Sequence, residues 1–260
     1  MENAKEILDW YILSGITNIC ADEPFANVLE ENKKQESSNI SFQTPALKRP
    51  ATTLLAQEGA AACKNAQELC KKAQTLDDLR AMIENFDGCA LRFSANSTVF
   101  GYGNSQAELV IIGEAPGADE DRIGEPFVGR CGQLLTKMLR AIQIEREDCY
   151  ITNVLPWRPP GNRTPTDSEV AVCLPFLKRQ IELIKPKVIL LLGASAANAV
   201  LDCAENISSL RGKFIDYVVD DKTIVPTISS YHPAYLLRNP AQKAKVWSDL
   251  LKLRKKLDTL

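Results

Sequence analysis

The chain has 260 residues, 45% of them hydrophobic and 25% charged, an ordinary globular composition with length enough for one or two domains and a sizeable core. Acids number 33 and bases 31, for a net charge of −2, which excludes a binder held to nucleic acid by bulk charge alone. No apolar run approaches the ~18 residues of a membrane span, and the Met1–Lys5 start lacks the order of a signal peptide, so a cytoplasmic chain with no membrane role is expected.

Charge is unevenly spread. Residues 1–60 carry nine acids and five bases, while the rest carries 24 acids and 26 bases, an acidic leader on a mildly basic body. Residues 1–30 include Ile7, Leu8, Trp10, Tyr11 and Leu13, which suit a short helix with an apolar face. Residues 31–53 are polar, with Pro45 and Pro50 and no sustained period, and read as a flexible linker. Asp9–Leu13 of such a leader could dock on this molecule or on a partner, or do nothing. The remainder, 54–260, is expected to be the folded domain. Its first stretch, 54–74, is Ala- and Gln-rich and can be helical.

From Thr75 the signals sharpen. Thr75 and Asp78 form a capping box that opens a helix to about Phe86. Leu109–Ile112 is a short apolar run ending at Gly113, as in a buried parallel strand. A helix is expected over Gly132–Ile142 and a strand over Cys149–Val154. A second capping box, Thr166 with Glu169, opens a helix to about Ile184. Lys187–Leu192 reads as a strand, Ser195–Leu201 as a helix and Thr223–Ser229 as a strand. Asn239 before Pro240 predicts the N-cap of a last, lysine-rich helix ending near Leu257. Strands alternating with helices predict an α/β fold, a three-layer α/β/α sandwich around a mostly parallel sheet of about four strands.

Glu114, Asn153 and His232 each fall at or just beyond a strand's carboxyl end, where open α/β sheets bind ligands. A carboxylate, an amide and an imidazole would then share one cleft. The Gly113–Gly117 loop, with Ala115 inside it, can bring backbone amides to a ligand while projecting Glu114. Phe127 sits in a tight loop, where its ring either packs in the core or stacks on a planar ligand. Asp119, Glu120 and Asp121 read as a solvated, capped helix start. The Arg158–Arg163 loop carries two guanidinium groups suited to phosphate. Eight cysteines invite a metal reading, but no two form a C-x-x-C pair. His232 is the one histidine, which excludes a multi-histidine metal site.

Five segments in register carry a resemblance: Gly113-Glu-Ala-Pro-Gly117, Gly124-Glu-Pro-Phe-Val-Gly129, Ile151-Thr-Asn-Val154, Arg158-Pro-Pro-Gly-Asn-Arg163 and Tyr231-His-Pro-Ala-Tyr-Leu-Leu-Arg238. Together they resemble the family-four uracil-DNA glycosylases, from about Phe86 to the C-terminus. The resemblance implies a DNA-repair enzyme that flips uracil out of DNA and hydrolyses its N-glycosidic bond, leaving an abasic site. Phe127 would stack on the base, Asn153 would read its edge, and Gly113 and Ala115 would line its pocket. His232 would stabilise charge on the leaving base, and Glu114 would handle the attacking water. Leu236 or Leu237 would wedge the duplex, with Arg238, Arg158 and Arg163 on phosphate. The substrate would be single- or double-stranded uracil-containing DNA, and the enzyme a monomer.

One departure stands out. The family carries a [4Fe–4S] cluster on four cysteines. Here two of those positions are Cys89 and Cys173, and the other two are Phe86 and Trp157. Such clusters need thiolate ligands, so no cofactor is expected and a hydrophobic plug would take the metal's place. Two other readings compete. One is a DNA- or partner-binding module without catalysis. The other is a serine esterase, with Ser195 in a Gly193–Ala197 turn, His232, and Asp216 or Asp220 between them.

Overall fold

The structure is a computed structural model that describes residues 51–220 and 222–260. The helix expected within 1–30 and most of the linker expected over 31–53 lie outside the described residues. Helix α1, Ala51–Lys72, begins within the stretch read as linker. It leads to α2, Leu76–Glu84, whose Thr75 hydroxyl and Asp78 carboxylate complete the expected capping box. A short helix, α3, follows over Leu91–Ser94.

The sheet has six strands in the order β1-β3-β2-β4-β6-β5. Its centre is the parallel set read from the sequence: β2 (Leu109–Gly113), β3 (Tyr150–Asn153), β4 (Val188–Leu192) and β6 (Thr223–Ser230). Two antiparallel edge strands raise the count from four to six. These are β1, Tyr102–Gly103, and β5, Phe214–Asp220. The first is too short to show a period. The second alternates exposed and half-buried residues along its length, as an edge strand with one covered face does.

Side chains leave alternate faces of a strand, and the two faces of β2 seed two cores. Val110 and Ile112 join Ile189 and Leu191 under α1, α2 and α6 (Asp167–Ile184). Leu109 and Ile111 join Leu190 and Leu192 under α5 (Arg130–Ala141) and α10 (Lys243–Leu257). The result is the expected three-layer sandwich. Between these lie α4 (Ala118–Ile123), α7 (Ala194–Leu201), α8 (Ile207–Leu210) and α9 (Pro233–Arg238).

The start of the last helix differs from expectation. Pro240–Gln242 forms one 3₁₀ turn, and α10 begins at Lys243. Asn239 closes α9 instead, its backbone N–H donating to the Tyr235 carbonyl at 2.8 Å. From β2 the chain runs out to β3 and then returns to β4 on the other side of β2. That reversal opens a crevice at the carboxyl ends of the strands.

Candidate active site

Register brings the first two groups together. Gly113 and Asn153 are paired residues on parallel strands β2 and β3. Beyond them the chains stay paired, since Val154 N–H donates to the Gly113 carbonyl at 2.9 Å and Leu155 N–H to that of Glu114 at 3.1 Å. A cleft of about 490 Å³ opens above this point. Its walls include Glu114, Ala115, Phe127, Asn153, His232 and Arg238, so the predicted carboxylate, ring, amide and imidazole share one space.

Phe127 is 5% exposed and has φ 55°, a left-handed conformation uncommon for a bulky residue. Three contacts hold it there. Gly132 of α5 comes so close that a Cβ would stand 1.6 Å from the Phe127 carbonyl oxygen. Arg146 Nη2 donates to the Pro126 carbonyl at 2.5 Å. Glu120 Oε1 accepts the N–H groups of Val128 and Gly129, each at 3.0 Å. The other oxygen of Glu120 accepts the Gly117 N–H at 3.1 Å. One carboxylate thus ties the loop after β2 to the loop that carries the ring, and it also lines the cleft.

That finding corrects the reading of Asp119, Glu120 and Asp121 as a solvated helix start. Only Asp119 behaves so, in an exposed pair with Arg122. Asp121 is 2% exposed and accepts hydrogen bonds from the Asn96 N–H and side-chain amide and the Ser97 N–H. The contacts of Glu120 span eight and nine residues. A capping position was visible at that residue, but those partners were not.

His232 is the N-cap of α9, and its Nδ1 accepts the Ala234 N–H at 3.1 Å. Pro233 at the first helical position has no N–H of its own. With Nδ1 an acceptor, the neutral ring carries its proton on Nε2. Burial, aided by the Arg238 charge, pushes the imidazole down from its usual 6.5 to about 4, against an opposing pull from Glu120. The ring stands 5.6 Å from that of Phe127, centroid to centroid, at a 33° tilt.

The DNA-contact candidates divide. Leu236 is 1% exposed and packs in the core under α10, which removes it as a wedge. Leu237 is at the surface, and Arg238 is exposed at the cleft wall. Both loop arginines have partners within the protein, and Arg163 also lines the cleft. Arg163 makes a two-pronged pair with Glu169, at 2.6 and 2.9 Å, which holds that carboxyl at about 2. Arg158 donates to Asn162 Oδ1 at 2.7 Å, lies 3.9 Å from the Asp121 carboxylate, and does not line the cleft. Sequence reasoning missed Tyr235 and Cys131, which line it. Tyr235 had only its place beside the matched histidine as a signal, and Cys131 had none.

The esterase triad does not assemble. Ser195 is not among the residues lining the cleft, and Asp216 and Asp220 lie exposed on edge strand β5. His232 Nδ1, where a triad carboxylate would bind, already has the Ala234 N–H.

Phe86, Cys89, Trp157 and Cys173 all lie in the core cluster that α6 covers, each 3% exposed or less, and the two thiols are hydrogen-bonded to each other. The Phe86 ring meets Phe176 edge-on at 5.1 Å, and it leaves no room for a Cβ on Gly88. The Trp157 indole N–H donates to Thr98 Oγ1 at 3.0 Å. The hydrogen bond to Cys89, together with burial, holds the Cys173 thiol well above its ordinary value. Two thiols and two rings do not fit a four-thiolate cluster. Among the described residues no group of three or more His, Cys, Asp or Glu side chains converges on a metal position.

The family model of the uracil DNA glycosylase superfamily matches residues 100–251, which contain every wall of this cleft. The chain belongs to the uracil DNA glycosylase superfamily. Within it, the chain is 42% identical to a type-4 uracil-DNA glycosylase of Thermotoga maritima over 175 residues, 67% of this chain and 89% of the relative. It is 44% identical to that of Archaeoglobus fulgidus over 184 residues, 69% and 92% of the two chains. A type-4 enzyme of Pyrobaculum aerophilum is 41% identical over 179 residues, 67% and 91%. These alignments leave about a third of the chain uncovered.

Proposed function

We propose that this chain is a uracil-DNA glycosylase that hydrolyses the N-glycosidic bond of deoxyuridine in DNA, releasing uracil and leaving an abasic site. The convergence of Glu114, Phe127, Asn153 and His232 on one cleft carries the reading. The base leaves the stack at a cost of a few kcal/mol and enters the cleft. Phe127 stacks on it, and the Asn153 amide, with one donor and one acceptor, matches the edge of uracil better than that of cytosine. Ala115 forms a wall beside it, and Gly113 lies against Asn153 and Phe127. As the bond to the sugar breaks, electrons pass to the base, and the His232 Nε2–H donates to the carbonyl oxygen where charge grows. A neutral donor suits this step, because no proton need be lost or gained. The Glu114 carboxylate stabilises the cationic sugar, orients the water that attacks it and takes up the proton that water sheds, and the uracil anion regains a proton from solvent. Leu237 fills the gap in the stack, and Arg238 meets phosphate.

A monomer is the acting unit of this proposal, since one copy supplies Glu114, Phe127, Asn153 and His232 together. A cytoplasmic enzyme accords with the free cysteines of the described residues, none of them in a disulfide. The aromatic plug at Phe86 and Trp157 supports a protein that folds and works without an iron–sulfur cluster. Contact between the leader and a repair protein remains part of the proposal.

The test incubates the purified chain with single- and double-stranded uracil oligonucleotides, then cleaves abasic sites with alkali. Strand cleavage at uracil is expected. Retained binding with no cleavage of either substrate would instead favour a catalytically silent DNA-binding module.

A further inference from the structure

We infer that the outer face of α10 is a second DNA-contact surface, one that tracks the strand leaving the cleft. The inference rests on the uracil-DNA reading above. It starts from a helix whose exposed face has an unusual content. Lys243, Trp247, Leu251 and Lys255 recur every four residues and so form one stripe. All four are exposed, Trp247 at 44% and Leu251 at 48%. Lys245 is exposed on the same helix.

No carboxylate on this helix is left to balance them. Asp249 is buried, accepting from the Ser230 hydroxyl at 2.7 Å and from Arg211 at 2.6 Å. Asp258, just past the helix end, pairs with Arg254. Cations interleaved with an aromatic ring are what single-stranded nucleic acid needs, since phosphates meet the lysines and a base stacks on the indole.

Position decides between DNA and an acidic protein segment. The groove beside the stripe, about 250 Å³, is walled by Trp247 and by Leu236 of α9. Ala234, Tyr235 and Arg238 of α9 line the uracil cleft. Only the Pro240–Gln242 turn separates α9 from α10. Arg238 at the cleft wall and Lys243 at the groove are five residues apart, so a strand bound in the cleft has a short path to the stripe. A helix of 15 residues is about 22 Å long, or about six nucleotide steps.

The full-length chain should be assayed on uracil oligonucleotides of about six and about 20 nucleotides. Trp247→Ala is expected to raise KM on the long substrate by about tenfold with kcat unchanged, the loss of one stacked base. The short substrate, which does not reach far along α10, should keep its KM. Replacing Lys243, Lys245 and Lys255 with alanine should lower the slope of log affinity against log salt by about 2. A uracil-free strand of the same long length should show the same losses in direct binding. Equal losses on both lengths, or none on either, would overturn the inference. The second result would leave the groove to an acidic protein segment. Wild-type binding of the uracil-free strand through α10, with excision of neither substrate, would support this surface and sink the excision reading.

Discussion

Gly113 and Asn153 face each other across β2 and β3 so closely that a Cβ on the glycine would stand 2.4 Å from Asn153 Oδ1. The same Cβ would stand 2.6 Å from Phe127 Cζ. The amide proposed to read the base edge and the ring proposed to stack on it are therefore both seated against a missing side chain. Gly113→Ala should displace the two together. We expect kcat/KM on a uracil oligonucleotide to fall by about 10²-fold, the cost of misplacing reacting groups by about 1 Å. Far-ultraviolet circular dichroism should stay unchanged. Wild-type kinetics in this variant would show that the two groups do not set the pocket.

Asn153→Asp should relax discrimination against cytosine, because a protonated carboxyl can present a donor and an acceptor in the arrangement that cytosine needs. Parallel excision assays on uracil- and cytosine-containing strands would check it. Unchanged uracil activity with no cytosine excision would remove Asn153 from base reading.

Glu120 supports the ring through the backbone. Its carboxylate accepts three N–H groups, from Gly117, Val128 and Gly129. Glu120→Gln keeps the size but replaces one accepting oxygen with a donor. The expected outcome is a loss of about 1–3 kcal/mol in urea unfolding, together with a raised KM from a loosened Phe127 loop. Stability and KM both at wild-type values would make the clamp irrelevant.

His232 should work as a neutral ring well below the ordinary histidine range. Its pKa in the folded chain is about 4, against 6.5 for an unburied imidazole. Between those values the unfolded chain binds more protons than the folded one, so stability rises with pH across this window. It is full above about 6.5 and declines as pH falls toward 4. Protonation would also put a second N–H on Nδ1, against the Ala234 N–H, and release the cap. The acid limb of kcat assigned to this ring should lie near 4, and be missing from the slow residual rate of His232→Ala. A limb near 6.5 that disappears with His232 would show that burial does not tune the ring.

The plug at Phe86 and Trp157 makes two predictions about one place. Purified protein should contain no stoichiometric iron and show no broad visible absorbance. Phe86→Ala should cost about 3–5 kcal/mol in unfolding free energy, as expected for emptying a buried aromatic site. Iron bound one cluster per chain, or a Phe86→Ala variant as stable as wild type, would refute the plug.

The four parallel strands and most helices were legible in the sequence because their signals are local. Leu109–Ile112 and Val188–Leu192 are apolar runs of strand length, and Thr75 and Thr166 announce their helices through a carboxylate three residues on. The cleft was legible for a related reason. In a parallel sheet the carboxyl ends all point one way, so Glu114, Asn153 and His232 were placed near one another by topology alone. Their resemblance to the family's motifs supplied the roles.

What folding alone decided depends on contacts between residues far apart in the chain, which no local pattern carries. Of two adjacent leucines, helix rotation turned Leu236 into the core and left Leu237 at the surface. The carboxylates of Glu120 and Asp121 found backbone donors in other loops and became structural instead of solvated. Arg163, read as a phosphate contact, pairs with Glu169 while still lining the cleft. Edge strand β1 is two residues long and has no period to read, whereas β5, with Phe214, Ile215, Tyr217, Val218 and Val219, carried a strand signal that sequence reasoning passed over. The sequence by itself determined which chemical groups this protein owns and which end of the sheet they occupy. The tertiary structure decided which of them are free to meet a ligand, because burial and pairing use up polar groups that look alike in one dimension.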